Sequence, residues 1–243
     1  MKFEVSITTF ERPEALRLLL LDLKREGARS VRVYDDCSTK ADYAQCVELI
    51  KRCGWTWQRA DKNYGRIDYP ALLEWGWRDL AKSPSPDIYV FLEDDTRLCK
   101  NFFARLADTW QSIDSSSKGS LMLLTDMRDA IWGSTTQPRP LGKADQIGWV
   151  DTKYAAPAST LRDLQFKFPR VPPRPTGSSG AGIGLTKALR QLGRTMYRAN
   201  PSLIAHASIP SVMHENEREK HPLNAKNFVD GEARHKQLLR GET

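Results

Sequence analysis

The chain has 243 residues, room for one large domain or two small ones, and its 40% hydrophobic content with seven tryptophans is enough for a substantial core. A formal net charge of +7 suits a polyanionic partner without identifying one. No apolar run approaches the roughly 18 residues of a membrane span, and Cys37, Cys46, Cys53 and Cys99 show no metal-ligand spacing, so no transmembrane segment and no zinc site are expected.

In chain order, Phe3 to Thr8 reads as a strand directly after Met1 and Lys2, and no secretory leader is expected before it. The four cysteines then read as free thiols of a cytoplasmic protein. Pro13 suits a first helical residue, Leu16, Leu19, Leu20 and Leu23 form a stripe at helical spacing, and Gly27 ends that helix. Val31 to Tyr34 is a second strand stopping at Asp35-Asp36-Cys37-Ser38. A helix from Tyr43 to Lys51 and a short strand from Trp55 to Gln58 follow. After the loop Asp61 to Arg66, a helix carries Tyr69, Leu72, Leu73, Gly76, Trp77 and Leu80 on one face. The run Ile88-Tyr89-Val90-Phe91-Leu92 is a buried strand that ends in Glu93-Asp94-Asp95. Four strand-helix units in about 100 residues predict a parallel sheet covered by helices on both faces.

Ligands of such sheets bind beyond the carboxyl ends of the strands. The polar clusters fall there: Thr8-Thr9, Asp35-Asp36 and Glu93-Asp94-Asp95. The loop Asn63-Tyr64-Gly65-Arg66 reaches the same edge only if it bends back beneath it. Three consecutive carboxylates repel one another and resist burial, and a hard divalent cation such as magnesium or manganese relieves that repulsion.

The second half is less regular. Leu121 to Leu124 predicts a short strand ending at Thr125-Asp126, and Ile131 to Ile147 reads as a long loop of the kind that forms lids or acceptor-binding elements. Gly148-Trp149-Val150-Asp151 is strand-like, and Phe168 to Pro175 is a proline-rich linker or arm. The glycine-rich Thr176 to Gly184 opens onto a helix near Leu185, without the lysine or preceding strand of a phosphate-binding loop. Pro201 to Ala205 gives a strand ending on His206, with His214 close behind. The charged tail from Glu215 reads as a surface helix or a segment that orders with substrate.

Val5-Ser6-Ile7-Thr8-Thr9-Phe10-Glu11-Arg12-Pro13 resembles the opening strand and loop of family 2-like glycosyltransferases of the GT-A fold. Val33-Tyr34-Asp35-Asp36-Cys37-Ser38-Thr39 is similar to their second-strand motif, with Cys37 in place of the usual glycine. Asn63-Tyr64-Gly65-Arg66 resembles their Asn-x-Gly loop, and Glu93-Asp94-Asp95 their acidic DXD motif, all in the family's order. The resemblance implies one α/β GT-A domain over residues 1–243, a Rossmann-like nucleotide-diphospho-sugar transferase with a mostly parallel central sheet. Residues 1–120 would be the nucleotide-sugar-binding half, and residues 121–243 the acceptor-binding half and C-terminal tail.

It also implies roles. Asp95 and a late histidine, His206 before His214, would hold Mn2+ or Mg2+, which stabilises a departing diphosphate as a Lewis acid. Asp94 would lie near the ribose of a donor such as a UDP-sugar, Asp36 would touch the nucleoside, and Thr8 and Arg12 would line the base pocket. Asn63 belongs to the donor loop, and the forked guanidinium of Arg66 suits the diphosphate. The glycine segment would border the acceptor. An inverting transferase needs a general base, for which Asp151 is the first candidate and Asp126 the second. Between Arg162 and Arg198, eight Lys or Arg face the single acid Asp163, which points to a polyanionic acceptor: DNA with hydroxymethylated bases, as in phage-type DNA-modifying enzymes, or a glycan or lipid-linked acceptor at an anionic membrane. Two other classes compete. A sugar-nucleotide pyrophosphorylase usually carries a glycine-rich first loop, which Thr8 to Pro13 lacks, and a non-catalytic nucleic-acid-binding protein would suffer repulsion from the acidic strand ends.

Overall fold

The period-2 pattern of the central strand sorts the whole molecule. In β4 (Ile88–Glu93), Ile88, Val90 and Leu92 enter one apolar cluster while Tyr89 and Phe91 enter another on the opposite face. The computed structural model describes residues 1–82, 85–124, 139–172, 180–207, 228–230 and 237. The first half follows the predicted alternation: β1 (Phe3–Thr9), α1 (Pro13–Arg25), β2 (Val31–Asp35), α2 (Tyr43–Arg52), β3 (Thr56–Arg59) and α3 (Tyr69–Leu80) precede β4. β1 pairs in parallel with both β2 and β4, and β2 with β3.

Beyond β4 come β5 (Thr96–Leu98), α4 (Phe102–Ser112), β6 (Lys118–Met122), β7 (Arg139–Pro140), β8 (Ala144–Ile147), β9 (Tyr154–Pro157), α5 (Ala158–Asp163), α6 (Ala181–Gln191), β10 (Thr195–Ala199) and β11 (Ile204–His206). The main sheet runs β3-β2-β1-β4-β9-β6-β10-β8-β7. Its described strands are mostly parallel, with β9 and β8 running against the others. One face is covered by α1, α2 and α4 through Leu16, Leu19, Ile50, Phe102 and Trp110, the other by α3, α5 and α6 through Leu72, Trp77, Leu161 and Leu185.

Three second-half expectations need correction. The C-terminal part of the long loop is a β-hairpin, β7 with β8, paired onto β10; its short, polar strands carry no apolar alternation to reveal it. Gly148 to Asp151 is not a strand, and the strand begins three residues later at Tyr154. The helix expected near Leu185, α6, starts at Ala181, with Gly182 and Gly184 inside its first turn. Those glycines read as breakers, yet their role is contact: a Cβ on Gly182 would lie 2.8 Å from the Val150 carbonyl oxygen, and one on Gly184 2.2 Å from that of Pro169. Residues 173–179, which include most of the proline arm and glycine segment, fall outside the described residues, as does the tail apart from Phe228–Asp230 and Gln237.

Candidate functional site

The ends of β1, β2 and β4 meet at one sheet edge, because a parallel register carries all three strands to the same side: Thr8 pairs with both Tyr34 and Glu93. A cavity of about 290 Å³ opens there. Thr8, Thr9, Phe10 and Arg12 line it from β1 and its loop, Asp36 from β2, Gly65 and Arg66 from the following loop, and Tyr69, Leu72 and Glu93 complete the wall.

The Asn63 loop does bend back to this edge, and Asp36 is what holds it. The Asp36 carboxylate accepts from the Tyr64 N–H (2.7 Å) and the Gly65 N–H (3.0 Å), and Asn63 Nδ2 donates to the Asp36 carbonyl (3.0 Å). Burial pushes the Asp36 carboxyl up, and these backbone donors counteract part of that rise. Asp35 beside it accepts from the Ser38 N–H (3.1 Å) and hydroxyl. Between them Cys37 takes φ = 62°, the left-handed region. The residue type differs from the glycine of the resembled motif, while the backbone shape is one that glycine adopts at no cost.

The β4 end is built differently. The Asp94 and Asp95 side chains are wholly buried, and the Arg12 guanidinium binds both, with Nη1 2.9 Å from Asp95 Oδ2. Asp94 also accepts from the Thr9 hydroxyl at 2.8 Å and is not part of the cavity wall, where Glu93 stands instead. Glu93 accepts from Tyr69 (3.2 Å), whose hydroxyl lies 2.9 Å from Thr8, and from the Thr152 hydroxyl (2.8 Å). Lys153 then reaches Glu93 Oε2 at 2.5 Å and Asp95 Oδ1 at 3.1 Å.

His206 arrives beside Asp95 because β11 pairs antiparallel with β5, aligning His206 with Thr96, and the Ala207 N–H donates to the Asp95 carbonyl at 2.7 Å. Its Nδ1 lies 3.4 Å from Asp95 Oδ1 and its Nε2 3.3 Å from Lys153 Nζ. The electrostatics follow from these partners. Burial disfavours charge on Glu93, but Lys153 overcomes it and holds that carboxyl down at about 2. Burial and the charge of Asp95 lift Asp94 to about 6 despite Arg12. Asp95 is held well below the usual range, since Lys153, His206 and Arg12 together outweigh its burial.

The structure thus brings together Thr8, Arg12, Asp36, Asn63, Arg66, Asp95 and His206, with Asp94 outside the cavity wall. Asp151 is not in the cavity wall but precedes Thr152, whose hydroxyl bonds Glu93, and desolvation followed by the nearby charge of Glu93 raises its carboxyl. Asp126 and His214 lie outside the described residues. The expected metal ligands Asp95 and His206 do converge, together with Glu93, but they converge on the Lys153 ammonium. Among the described residues no group of three His, Cys, Asp or Glu side chains is arranged to hold a metal ion. With an ammonium at the point where they converge, these described residues do not fit a divalent cation.

Sequence reasoning missed Tyr69, Glu93 and Lys153 as site residues. Tyr69 read as one more apolar helix position and Glu93 as the unassigned member of the acidic triplet; nothing local marks Lys153. The basic segment is also less free than its composition suggested. Arg170 pairs with Glu74 (3.0 Å), Arg194 with Asp163, and Arg198 is buried against Asp145 (2.9 Å).

Sequence comparison matches no protein-family model and no curated protein. Among solved structures, the chain is similar to a mannosyltransferase from Pyrobaculum calidifontis, crystallised with GDP-Man and Mn2+, at 15% identity and TM-score 0.57, over 80% of this chain and 53% of that one. It thus spans about half of that protein's length. It is similar to residues 1–349 of TarS from S. aureus in complex with UDP-GlcNAc, at 15% identity and TM-score 0.59, over 98% of this chain and 70% of that one. The UDP complex of the same TarS fragment gives 17% identity and TM-score 0.60. With its mostly parallel sheet, its strand-end cavity and these likenesses, the chain has the α/β GT-A fold found in nucleotide-sugar glycosyltransferases.

Proposed function

We propose that this chain transfers a sugar from a nucleotide-sugar donor to an acceptor hydroxyl. The observation that carries the reading is the cavity where β1, β2 and β4 end, with the Asp36-anchored loop on one side and Arg12 and Arg66 in its wall. The likeness to chains crystallised with GDP-Man or UDP-GlcNAc supports it. In this reading Thr8, Phe10 and Asp36 receive the nucleoside, and the two guanidinium groups face the diphosphate. The bond from the anomeric carbon to the diphosphate oxygen breaks, and its electron pair leaves with the nucleoside diphosphate. The acceptor oxygen forms the new bond to that carbon and gives up its proton to a base. Asp151, beside the Thr152 that bonds Glu93 and with a raised carboxyl, is the described residue best suited to take it. A Mn2+ in the mannosyltransferase makes metal use known in this fold, but no step is assigned to an ion here because Lys153 already meets its expected ligands. The acceptor is DNA, or a glycan or lipid-linked acceptor at an anionic membrane; both draw on the charge of residues 162–198, of which Arg170, Arg194 and Arg198 are already tied to carboxylates.

Calorimetry with UDP, GDP, UDP-GlcNAc and GDP-Man tests the reading. At least one is expected to bind with a dissociation constant in the micromolar range, and Arg66→Ala to weaken that ligand by about tenfold, or ~1.4 kcal/mol. Absence of binding by all four at millimolar concentration would overturn it.

A further inference from the structure

We propose that Lys153 is the resident counter-cation of the acidic cluster and that sugar transfer at this site runs without a divalent metal. The second half rests on the glycosyltransferase reading; the first does not. The Lys153 Nζ has three acceptors within reach, Glu93 Oε2 at 2.5 Å, Asp95 Oδ1 at 3.1 Å and His206 Nε2 at 3.3 Å. They match in number the three N–H bonds of an ammonium. Their residue types, two carboxylates and an imidazole, are those that would otherwise ligate a divalent ion. His206 Nδ1 lies 3.4 Å from Asp95 Oδ1, so the ring spans Asp95 and Lys153 and completes the cluster around the ammonium.

The lysine is fixed in place rather than resting there. Lys153 leads directly into β9, which is held between β4 and β6, and its own carbonyl accepts from the Leu123 N–H at 3.0 Å. The register sets Phe91 opposite Tyr154, so Lys153 arrives beside the end of β4. Its side chain is only 8% exposed, and a divalent ion placed among the same acceptors would sit against a buried positive charge. Most of the cluster's charge is already matched. The carboxylates of Glu93, Asp94 and Asp95 face two fixed cations, Lys153 and Arg12, before any ligand arrives. Lys153 masks Glu93, which would otherwise repel a diphosphate in the cavity, while Arg12 and Arg66 stand in the wall to meet the charge released as the glycosidic bond breaks.

Manganese binding followed by electron paramagnetic resonance, with UDP and GDP binding measured in chelator and in Mn2+, tests the proposal on the whole chain. Wild type is expected to show no stoichiometric Mn2+ site, and its nucleotide affinity to stay within about twofold between chelator and Mn2+. Lys153→Ala, which vacates the position, is expected to gain Mn2+ binding by about tenfold or more and to be thermally stabilised by Mn2+ where wild type is not. A one-to-one Mn2+ site in wild type, or a loss of nucleotide affinity of about tenfold in chelator, would overturn it. If neither nucleotide binds under any condition and UDP-GlcNAc and GDP-Man fail as well, the glycosyltransferase reading fails, while the Mn2+ titration of wild type still decides where the cation lies. Should Lys153→Ala not fold, that same wild-type titration decides alone.

Discussion

Two acidic strand ends stand at one sheet edge, on either side of β1, and are stabilised in opposite ways. At the end of β2, Asp35 and Asp36 are met mainly by neutral donors: the N–H groups of Ser38, Tyr64 and Gly65 and the Ser38 hydroxyl, with an exposed Arg59 3.6 Å from Asp35. At the end of β4, Glu93, Asp94 and Asp95 are met by the full charges of Arg12 and Lys153. Neutral donors shape a loop, and full charges permit a dense anionic cluster to be buried. The same two-letter motif, a pair of aspartates after a strand, therefore serves as an architectural anchor in one place and as half of an ion-pair network in the other.

The sharpest way to break that contrast is to remove a cation. Lys153→Met keeps most of the side-chain volume and leaves Glu93 and Asp95 short of positive charge. A loss of about 3–5 kcal/mol at pH 7, measured by urea denaturation, is expected from breaking a buried pair. The pH dependence has a definite sign. In wild type Lys153 holds Glu93 down at about 2, so its contribution is complete above the ordinary carboxylate range and fades only as pH falls toward 2. In the variant burial and the charge of Asp95 act against the Thr152 hydroxyl and raise that carboxyl, folding takes up a proton, and the gap to wild type narrows as pH falls from about 7 to about 5. A gap of constant size across that interval would mean that Lys153 acts through packing.

Asp36→Ala tests the neutral end. It strands the Tyr64 and Gly65 N–H groups and releases the loop that carries Arg66, with an expected cost of about 1–3 kcal/mol. Nucleotide affinity should fall with it, and Asp36→Asn, which keeps one acceptor oxygen, should recover part of both in the same calorimetric and denaturation experiments. The smallest effect belongs to Cys37. Its left-handed φ of 62° is strained for a side chain with a Cβ, and Cys37→Gly is expected to raise the unfolding midpoint by the equivalent of at most about 1 kcal/mol, since glycine's greater freedom in the unfolded chain offsets part of the relief. A destabilised Cys37→Gly would show that the Cys37 side chain itself holds the turn.

Legibility in the sequence followed how local each signal was. The leucine stripe of α1, the apolar run of β4 and the acids after β2 and β4 depend on neighbours a few residues away, and α/β alternation with a mostly parallel sheet could be read from them. The β7–β8 hairpin could not, because its polar residues are set by pairing with β10, about 50 residues further along the chain.

The site divided along the same line. The sequence alone determined that polar clusters would gather at one sheet edge, because strand ends are marked locally and parallel strands must end on the same side. It also placed His206 at a strand end. Only the tertiary structure decided what the carboxylates meet. Arg12 lies more than 80 residues from Asp94 and Asp95, and Lys153 about 60 from Glu93. Whether three buried acids await a metal or are already paired depends on which side chain the sheet order delivers to them. Here β9 inserts between β4 and β6 and delivers a lysine, an outcome of long-range pairing that no local pattern in the chain encodes.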